Sequence, residues 1–411
     1  MKPFRRSILS AVAAWVVMGT MNAHADQPST VADATATTAA AEAPAEAKPK
    51  GPTLSDVLGN SGIDVKGYLD ASYIGHNQTP NSSVQVFDTS KSSFGLHQAG
   101  ITISKTPKEG FGGLINLTAG SDAGIFCSYG ACASGNGTTP GSGGNFDITQ
   151  AFAQYATGSW TLIGGKFTTL AGAEVIDSSA DTNITRSILF GKIPFTHTGV
   201  RVTDAVSDST NLIAGVNNGW DQVSAMTPSK TVELGVTSAF TKDTSLALSG
   251  YVGTAPASFP VSTVAPMTGT RSLVDLVFTS NLTDALTLIL NADYVSQEYA
   301  GYLGTTEKYK GLAGYLNYQI NEQYRLSFRA EALKDDSGAA LGTTPTAAGN
   351  TVKEMTLTVG YAPMKNVELR GELREDTANK PLFYSSDSAM TPATMTATSM
   401  TTLGVQAIYK F

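Results

Sequence analysis

The stretch Trp160–Val202, WTLIGGKFTTLAGAEVIDSSADTNITRSILFGKIPFTHTGVRV, contains two strand patterns on either side of a long polar insertion. The first arm, Trp160–Phe167, is apolar and includes a glycine pair. The second arm, Thr196–Val202, alternates between two faces with a period of two residues. The connection between them, residues 168–195, is much longer than connections usually are in compact domains. We expect it to fold into the lumen of a barrel and to narrow it.

The composition favours a chain of many strands. Of the 411 residues, 41% are hydrophobic and only 15% are charged, compared with roughly 25% charged residues in average soluble domains. Glycine accounts for 41 residues. After the N-terminus, no apolar run is long enough for a transmembrane helix.

The N-terminus predicts export. Lys2, Arg5 and Arg6 precede an apolar segment at residues 8–18, and Ala23-His24-Ala25 has the small-x-small pattern of a cleavage site. The alternative is a single membrane anchor, for which the apolar segment is short. We therefore expect three regions, which are a removed signal peptide (1–25), a flexible periplasmic tether rich in Ala, Thr and Pro (26–62) and the barrel (63–411).

Charge and cysteine content exclude several classes of partner. The predicted signal peptide removes three of the 27 basic residues and none of the 34 acidic ones, so the mature chain is more acidic than the net charge of −7 suggests. This argues against a nucleic-acid partner, which would need a basic face. Cys127 and Cys132 are the only cysteines and are disulfide candidates in an exported protein. A zinc or haem site would need further ligands nearby, so no metal or cofactor is expected.

Alternation of apolar and charged residues predicts an all-β fold. In KNVELRGELRED, residues 365–376, Val367 and Leu369 share one face, and Arg370 and Glu372 share the other. Such strands, about ten residues long, are typical of a sheet between lipid and water. We count about sixteen of them, which predicts an antiparallel up-and-down transmembrane β-barrel.

The connections alternate between short and long, which orients the barrel. The short ones include Pro107-Lys108-Glu109 and the single residues Gly158, Asn321 and Met364. The long ones are residues 76–92, 122–146, 168–195, 220–229, 255–269, 299–306, 335–351 and 377–399. Short periplasmic turns and long outer loops characterise bacterial outer-membrane barrels. The final strand ends in Phe411, and this resembles the signal that the barrel-assembly machinery recognises in such proteins.

The segments GKFTTLAGAEVIDSS, NITRSILFG, PFTHTGVRV and GVNNGWD resemble the OmpL-like bacterial β-barrel porin family. The resemblance is densest over residues 165–221 and extends more loosely over residues 65–411. It implies a channel in the bacterial outer membrane, surrounded by outer-membrane lipid, for small polar solutes. A homo-oligomer is one arrangement that such a barrel can take.

The polar face of each predicted strand nominates residues of the pore wall. These are Lys66, Asp70, Arg201, Glu233, Asp275, Asp293, Arg325, Arg329, Glu331, Arg370, Glu372 and Arg374. Lumen charges set selectivity in channels. The arginines could form a basic section of wall, or they could be neutralised by neighbouring carboxylates in ion pairs without a transport role. Both interpretations stay open at the level of the sequence.

The charged residues of the long insertion are candidates for a constriction of the pore. They are Glu174, Asp177, Asp181, Arg186 and Lys192. If the insertion enters the lumen, its acids would face the basic wall and create a transverse field. If it lies outside, it is a surface loop.

The sequence favours passive diffusion of small hydrophilic solutes or ions. One alternative is an adhesin or receptor acting through its outer loops, but these are rich in Gly, Ser and Thr and poor in large aromatic anchors. A barrel enzyme is a further alternative, but the chain has no Gly-x-Ser-x-Gly elbow and few histidines. We therefore expect a channel and not an enzyme.

Overall fold

The computed structural model describes residues 54–131, 144–256, 268–298, 305–342, 348–385 and 395–411. Within these residues, sixteen antiparallel strands form one closed barrel, as the sequence predicts. The barrel strands are β1 (Asp64–His76), β2 (Ser92–Lys105), β3 (Gly110–Ala119), β4 (Phe146–Thr157), β5 (Trp160–Thr168), β6 (Thr196–Ser207), β7 (Thr210–Asn217), β8 (Thr231–Thr241), β9 (Thr244–Pro256), β10 (Thr268–Asn281), β11 (Leu286–Gln297), β12 (Glu307–Gln319), β13 (Tyr324–Asp335), β14 (Asn350–Met364), β15 (Val367–Ala378) and β18 (Ser399–Lys410).

The remaining elements are short and lie outside the barrel sheet. Helix α1 (Leu54–Ser61) falls within the region predicted as a tether, and helix α2 (Ala123–Phe126) and a 3-10 turn (Phe190–Lys192) lie in long connections. A two-stranded sheet of β16 (Phe383–Tyr384) and β17 (Met395–Ala397) was not predicted from the sequence. Among the described residues, no helix is both long and apolar enough to cross a membrane.

The two faces of the barrel differ in polarity as the alternation predicts. On β15, Arg370, Glu372 and Arg374 are buried on the inner face, whereas Leu369 and Leu373 are exposed on the outer face. The same order holds around the sheet, whose exposed side chains are mainly large and apolar. Lipid favours this arrangement, because apolar side chains face hydrocarbon and polar ones face the interior.

The connections also sort by length as predicted. Short turns join β2 to β3, β4 to β5 and β6 to β7, and long connections leave the opposite end of the same strands. The turn after β4 contains Gly158 and Ser159, and Gly158 has a φ of +55°, which favours glycine. The predicted connections around 122–146, 255–269, 299–306, 335–351 and 377–399 lie partly outside the described residues.

The barrel closes between its first and last strands. Strand β1 pairs with β18, with Ala71 opposite Ala407. The pairing extends to Phe411, whose backbone N–H donates to the Gly67 carbonyl at 2.9 Å and whose carbonyl accepts from the Gly67 N–H at 2.9 Å. The ring of Phe411 also covers Gly67, where no side chain would fit.

The main hydrophobic cluster lies inside the barrel and extends from the long connections to inner-face residues such as Ala247 and Val277 nearer the short turns. It joins Leu189 of the β5–β6 connection to Val84, Leu341, Leu382 and Phe383 of other long connections. Several long connections therefore pack against one another and against the β5–β6 connection.

Candidate functional site in the barrel interior

Residues 169–195, called the β5–β6 segment below, contact the inner faces of strands on the far side of the barrel. In the strand order of the closed sheet, β13 lies opposite β5 and β14 lies opposite β6. The segment is hydrogen-bonded to side chains of β13 and β15, the two neighbours of β14. These contacts join opposite walls through the β5–β6 segment.

Two carboxylates of the far wall bind the backbone of the segment. Glu331 on β13 accepts hydrogen bonds from the N–H groups of Ile188 at 2.6 Å and Leu189 at 3.2 Å. Glu372 on β15 accepts from the N–H groups of Ile184 at 2.6 Å and Thr185 at 2.9 Å. A carboxylate can accept several hydrogen bonds, and bonds to a charged acceptor are stronger than neutral ones. The two groups therefore fix consecutive turns of the segment.

Three arginines of the same wall donate to carbonyl groups of the segment. An Nη1 atom donates to a backbone oxygen in each case, from Arg374 to Arg186 at 2.6 Å, from Arg329 to Thr185 at 2.7 Å and from Arg370 to Ser178 at 3.2 Å. The wall thus satisfies both N–H and C=O groups of an irregular segment that has few partners of its own.

Each of these arginines is also paired with a carboxylate on the wall. Arg374 pairs with Asp376 at 2.7 Å, Arg329 with Glu354 at 3.0 Å and Arg370 with Glu368 at 2.9 Å. Arg325 also pairs with Glu368. The wall therefore carries neutralised pairs, which was one of the two interpretations left open by the sequence.

Glu174 and Asp181 do not face cations across a water-filled gap. Glu174 contacts Arg329 directly, with 2.8 Å between Oε1 and Nη1, and Asp181 pairs with Arg186 of the same segment at 3.0 Å. Asp177 accepts a hydrogen bond from the nearby Ser179 N–H at 2.8 Å. For Glu174 and Asp181 the expected transverse field is therefore wrong, because these buried acids lie in direct contact with a cation. For the half-buried Asp177 it stays a prediction.

Of the two cations of the segment, Arg186 is buried and Lys192 is half-buried. The Arg186 guanidinium lies over the rings of Phe87 at 5.6 Å and Phe190 at 5.5 Å. Burial raises the pKa of its partner Asp181 to about 7, although the guanidinium acts in the opposite direction. Lys192 donates from Nζ to the Ala340 carbonyl at 2.6 Å, and burial lowers the pKa of its ammonium group to about 8.

The other nominated wall residues are separate from this cluster. Arg201 pairs with Glu233 through hydrogen bonds of 2.5 and 2.8 Å, and Asp70 accepts from Gln406 at 2.8 Å. Lys66 is largely exposed near the short-turn end and pairs with Asp64 at 2.6 Å. Lys66 therefore lies at the rim of the inner face.

The remaining predicted residues are two acids of the wall and the two cysteines. Asp275 and Asp293 face each other across β10 and β11, and Asn291 donates to Asp275 at 2.6 Å. Cys127 is buried, and none of the described cysteines is a free thiol. Cys132 lies outside the described residues, so the pairing of the two cysteines stays a prediction.

Several anchoring residues were missed at the sequence level. Glu354 and Asp376, which pair with Arg329 and Arg374, do not appear among the nominated wall residues. Glu354 occupies the polar face of an alternating strand together with Thr356 and Thr358. That alternation was the available signal for Glu354.

A closed sixteen-stranded barrel with a lipid-compatible outer face and a polar inner face defines the class of outer-membrane β-barrel channels. Residues 62–411 match the family described as "Putative beta-barrel porin-2, OmpL-like". The chain belongs to this family and is a porin of the bacterial outer membrane. No curated protein sequence matches the chain significantly.

Solved porin structures share this fold at low sequence identity. The outer-membrane channel DcaP of Acinetobacter baumannii has a TM-score of 0.55 and 16% identity over 85% of this chain and 97% of that one. OmpT of Vibrio cholerae has a TM-score of 0.54 and 11% identity over 85% and 97% of the two chains. An anion-selective porin from Comamonas acidovorans has a TM-score of 0.54 and 11% identity over 85% and 99%. At these identities, the similarity concerns the fold.

Proposed function

We propose that this porin allows passive diffusion of small hydrophilic solutes or ions through a water-filled lumen that the β5–β6 segment narrows. The observation that carries the proposal is the binding of the segment's backbone by Glu331 and Glu372, on the wall opposite its own strands. A segment held in this way occupies part of the cross-section at a fixed position. Sixteen-stranded barrels otherwise leave a wide aqueous channel.

The nominated charges have two roles in this proposal. Glu174 contacts Arg329 of the wall, Lys192 contacts the Ala340 carbonyl of another connection, and Arg186 contacts Asp181 within the segment, so these four residues hold the segment in its conformation. Arg329, Glu331, Arg370, Glu372 and Arg374 are the anchors on the wall. Paired anchors contribute little net charge to the lumen, so solute size is the first selection criterion.

Conductance in planar lipid bilayers tests the channel. Purified protein is expected to produce discrete ohmic steps in potassium chloride, and the absence of any such current overturns the proposal. The reversal potential in a salt gradient then reports the charge preference. This measurement also shows whether the anion selectivity of the Comamonas acidovorans porin is shared.

Release of the segment tests the constriction. The double substitution Glu331→Ala and Glu372→Ala removes both backbone anchors and is expected to increase the single-channel conductance. Glu375→Ala, on the exposed outer face of β15, is the matched control. Unchanged conductance, together with faster amide exchange in residues 184–189, would mean that the released segment does not limit the pore. If the double variant does not fold, Glu331→Gln alone gives the same comparison.

The proposed partners follow from the outer-membrane location. Lipid contacts the apolar outer face, and the barrel-assembly machinery recognises the last strand, which ends in Phe411. A trimeric form is recorded for OmpT of Vibrio cholerae, and we infer that a homotrimer is the assembly to test first for this chain. No catalytic activity is proposed. An adhesin or receptor function would require the porin to bind a partner through its outer loops while conducting no current.

A further inference from the structure

Four lysines lie together on the outer surface of the barrel, near the end from which the long connections leave. They are called the lysine patch below and are Lys308 and Lys310 on β12, Lys334 on β13 and Lys353 on β14. All four are exposed and alternate with buried residues, so they lie on the face that lipid contacts. The other lysines and arginines of the described strands face the interior or lie near the short turns.

Two lysines of the patch face each other directly. In the register of β12 and β13, Lys310 is opposite Lys334, and directly opposed side chains have Cβ atoms about 5 Å apart. Like charges in this position destabilise a sheet. Lys353 is opposite Ala332 and is therefore the diagonal neighbour of Lys334, at about 7–8 Å. A bound anion would remove the repulsion that this arrangement creates.

The protein supplies little negative charge to the patch. Lys334 pairs with Asp336 at 3.1 Å, and both side chains are about half exposed. Exposed pairs of this kind contribute little to stability. Over the residues that the structure describes, no carboxylate forms an ion pair with Lys308, Lys310 or Lys353. Three ammonium groups are therefore available to an anion from outside the protein.

Two glutamates mark the edges of the patch. Glu298 follows β11 on one side, and Glu375 lies on β15 on the other. The Glu298 carboxylate accepts from the Thr270 N–H at 2.8 Å, and the Glu375 carboxylate accepts from the Thr401 hydroxyl at 2.6 Å. The positive surface is thereby limited to the three strands β12, β13 and β14.

The same strands become apolar on the side of the patch that is nearer the short turns. Leu312 follows Lys310 on the outward face of β12, and Met355 follows Lys353 on β14, and both are exposed. Tyr294 on β11 is opposite Lys310 and is also exposed. Aromatic side chains are typical of the interface between membrane and water. The patch therefore lies at the level of the lipid headgroups on the outer side, and Leu312 and Met355 lie at the level of the acyl chains.

The width of the patch and its apolar border define the occupant. Neighbouring strands are about 4.8 Å apart, so β12 and β14 are separated by about 10 Å, which is wider than one phosphate group. Lysine binds phosphate through its compact positive charge. A soluble anion would gain nothing from Leu312 and Met355, whereas a lipid contacts both.

We propose that the lysine patch binds a lipid of the outer leaflet whose headgroup carries two phosphate groups, such as the lipid A part of lipopolysaccharide. The ammonium groups bind the phosphates, and the exposed apolar side chains beside them contact the acyl chains. The lipid thereby offsets the repulsion between Lys310 and Lys334. The site lies outside the lumen, so it goes beyond the channel function and does not depend on it.

The affinity of the intact porin for lipid A tests the site. Native mass spectrometry in a neutral detergent compares diphosphoryl lipid A with monophosphoryl lipid A that has the same acyl chains. One basic residue beside an anionic headgroup contributes roughly a fivefold factor in affinity. We therefore expect the diphosphoryl form to bind at least about fivefold more tightly. Equal affinities would overturn the proposed site.

The double substitution Lys310→Gln and Lys334→Gln tests the lysines themselves. The affinity for diphosphoryl lipid A should fall by roughly 25-fold, a factor of five for each charge. The matched control is Lys105→Gln with Lys108→Gln, which removes two exposed charges near the short-turn end. This control should bind the lipid as the wild type does. An unchanged affinity in the patch variant, or an equal loss in both variants, would reject the site.

Thermal unfolding checks the folding of the variant and distinguishes a lipid from a soluble anion. Without lipid, the patch variant should unfold at a temperature at least as high as the wild type, because a contact between like charges has been removed. Diphosphoryl lipid A should raise the unfolding temperature more in the wild type than in the variant. An equal rise with inorganic phosphate alone would show a simple anion site and overturn the lipid site. If the double variant does not fold, Lys310→Gln alone gives the same comparison, with about a fivefold loss of affinity.

Potassium chloride conductance separates the lipid site from the channel function. Wild type and patch variant should conduct equally, because the lysines lie outside the lumen. A protein that conducts no ions contradicts the channel function, whereas a conducting protein that binds both forms of lipid A equally lacks the lipid site.

Discussion

The Nη1 atom of Arg329 on strand β13 donates a hydrogen bond of 2.8 Å to Oε1 of Glu174 in the β5–β6 segment. Both side chains are buried, and the same guanidinium also pairs with Glu354 on β14. A charged group of the segment is thereby joined to the wall opposite the strands from which the segment arises. This pair makes the position of the segment sensitive to single substitutions.

Glu174→Gln should weaken the attachment of the segment to the wall. Removing the negative charge leaves a buried guanidinium with one carboxylate partner fewer, which costs about 1–3 kcal/mol. Amide hydrogen exchange is expected to become faster in residues 174–189 and to stay unchanged in strands far from the contact. Asp177→Asn is the control, because Asp177 accepts its hydrogen bond from Ser179 within the segment. Equal protection in Glu174→Gln and wild type would contradict this role.

Glu331→Gln should expose a backbone amide. The glutamate accepts from both Ile188 and Leu189, whereas a glutamine has one carbonyl oxygen and an NH2 group that cannot accept. One buried N–H then loses its partner at a cost of about 1–3 kcal/mol. Faster exchange of the Ile188 or Leu189 amide is the expected result. Glu375→Gln on the exposed face should leave both amides as protected as in the wild type.

Gly165→Ala should impair folding, whereas Gly164→Ala should have little effect. Gly165 has a φ of +139°, and an added Cβ would lie 2.2 Å from the Ala151 carbonyl oxygen. At Gly164 the nearest atom to an added Cβ is Cγ1 of Val200 at 3.8 Å, an ordinary contact. The temperature at which the folded barrel changes its electrophoretic mobility measures the difference. A similar transition temperature for both variants would show that the backbone at Gly165 can adjust.

The stability of the folded protein should depend on pH through Asp181. Burial raises the pKa of its carboxyl group to about 7, so between roughly pH 4 and pH 7 the folded state binds this proton more tightly than the unfolded state. The contribution of Asp181 to stability is therefore greatest at acidic pH and is lost as the pH rises to about 7. Thermal unfolding of wild type and Asp181→Asn is compared from pH 4 to pH 8. The difference in unfolding temperature between wild type and Asp181→Asn should change with pH in the acidic range and become constant above about pH 7. A difference that is constant from pH 4 to pH 8 would contradict a raised pKa of Asp181.

The sequence predicts the barrel well because its determinants are local. Alternation in residues such as Leu369, Arg370 and Leu373 assigns the two faces, and connection lengths assign the two ends. Both signals are visible within one strand or one turn. The two-stranded sheet β16–β17 is not predicted from the sequence, because strands of only two or three residues are too short to show alternation.

The interior is less predictable because its contacts join distant parts of the chain. The alternation indicates that Glu331 and Glu372 face inwards, but it does not show that they bind the backbone of Ile188 and Thr185. A hydrogen bond to a backbone amide leaves no mark on the sequence of its partner. For the same reason, the sequence predicts that the acids of the segment face the basic wall across the lumen, whereas Glu174 is in direct contact with Arg329.

Binding of the segment through its main chain has an evolutionary consequence. Glu331 and Glu372 bind the N–H groups of Ile184, Ile188 and Leu189, which every residue except proline would provide at these positions. Mutations at other positions of the segment can therefore alter the surface that a solute meets while these attachments remain. Related sequences can in this way differ at these positions, one side chain at a time, while the segment stays attached to the wall.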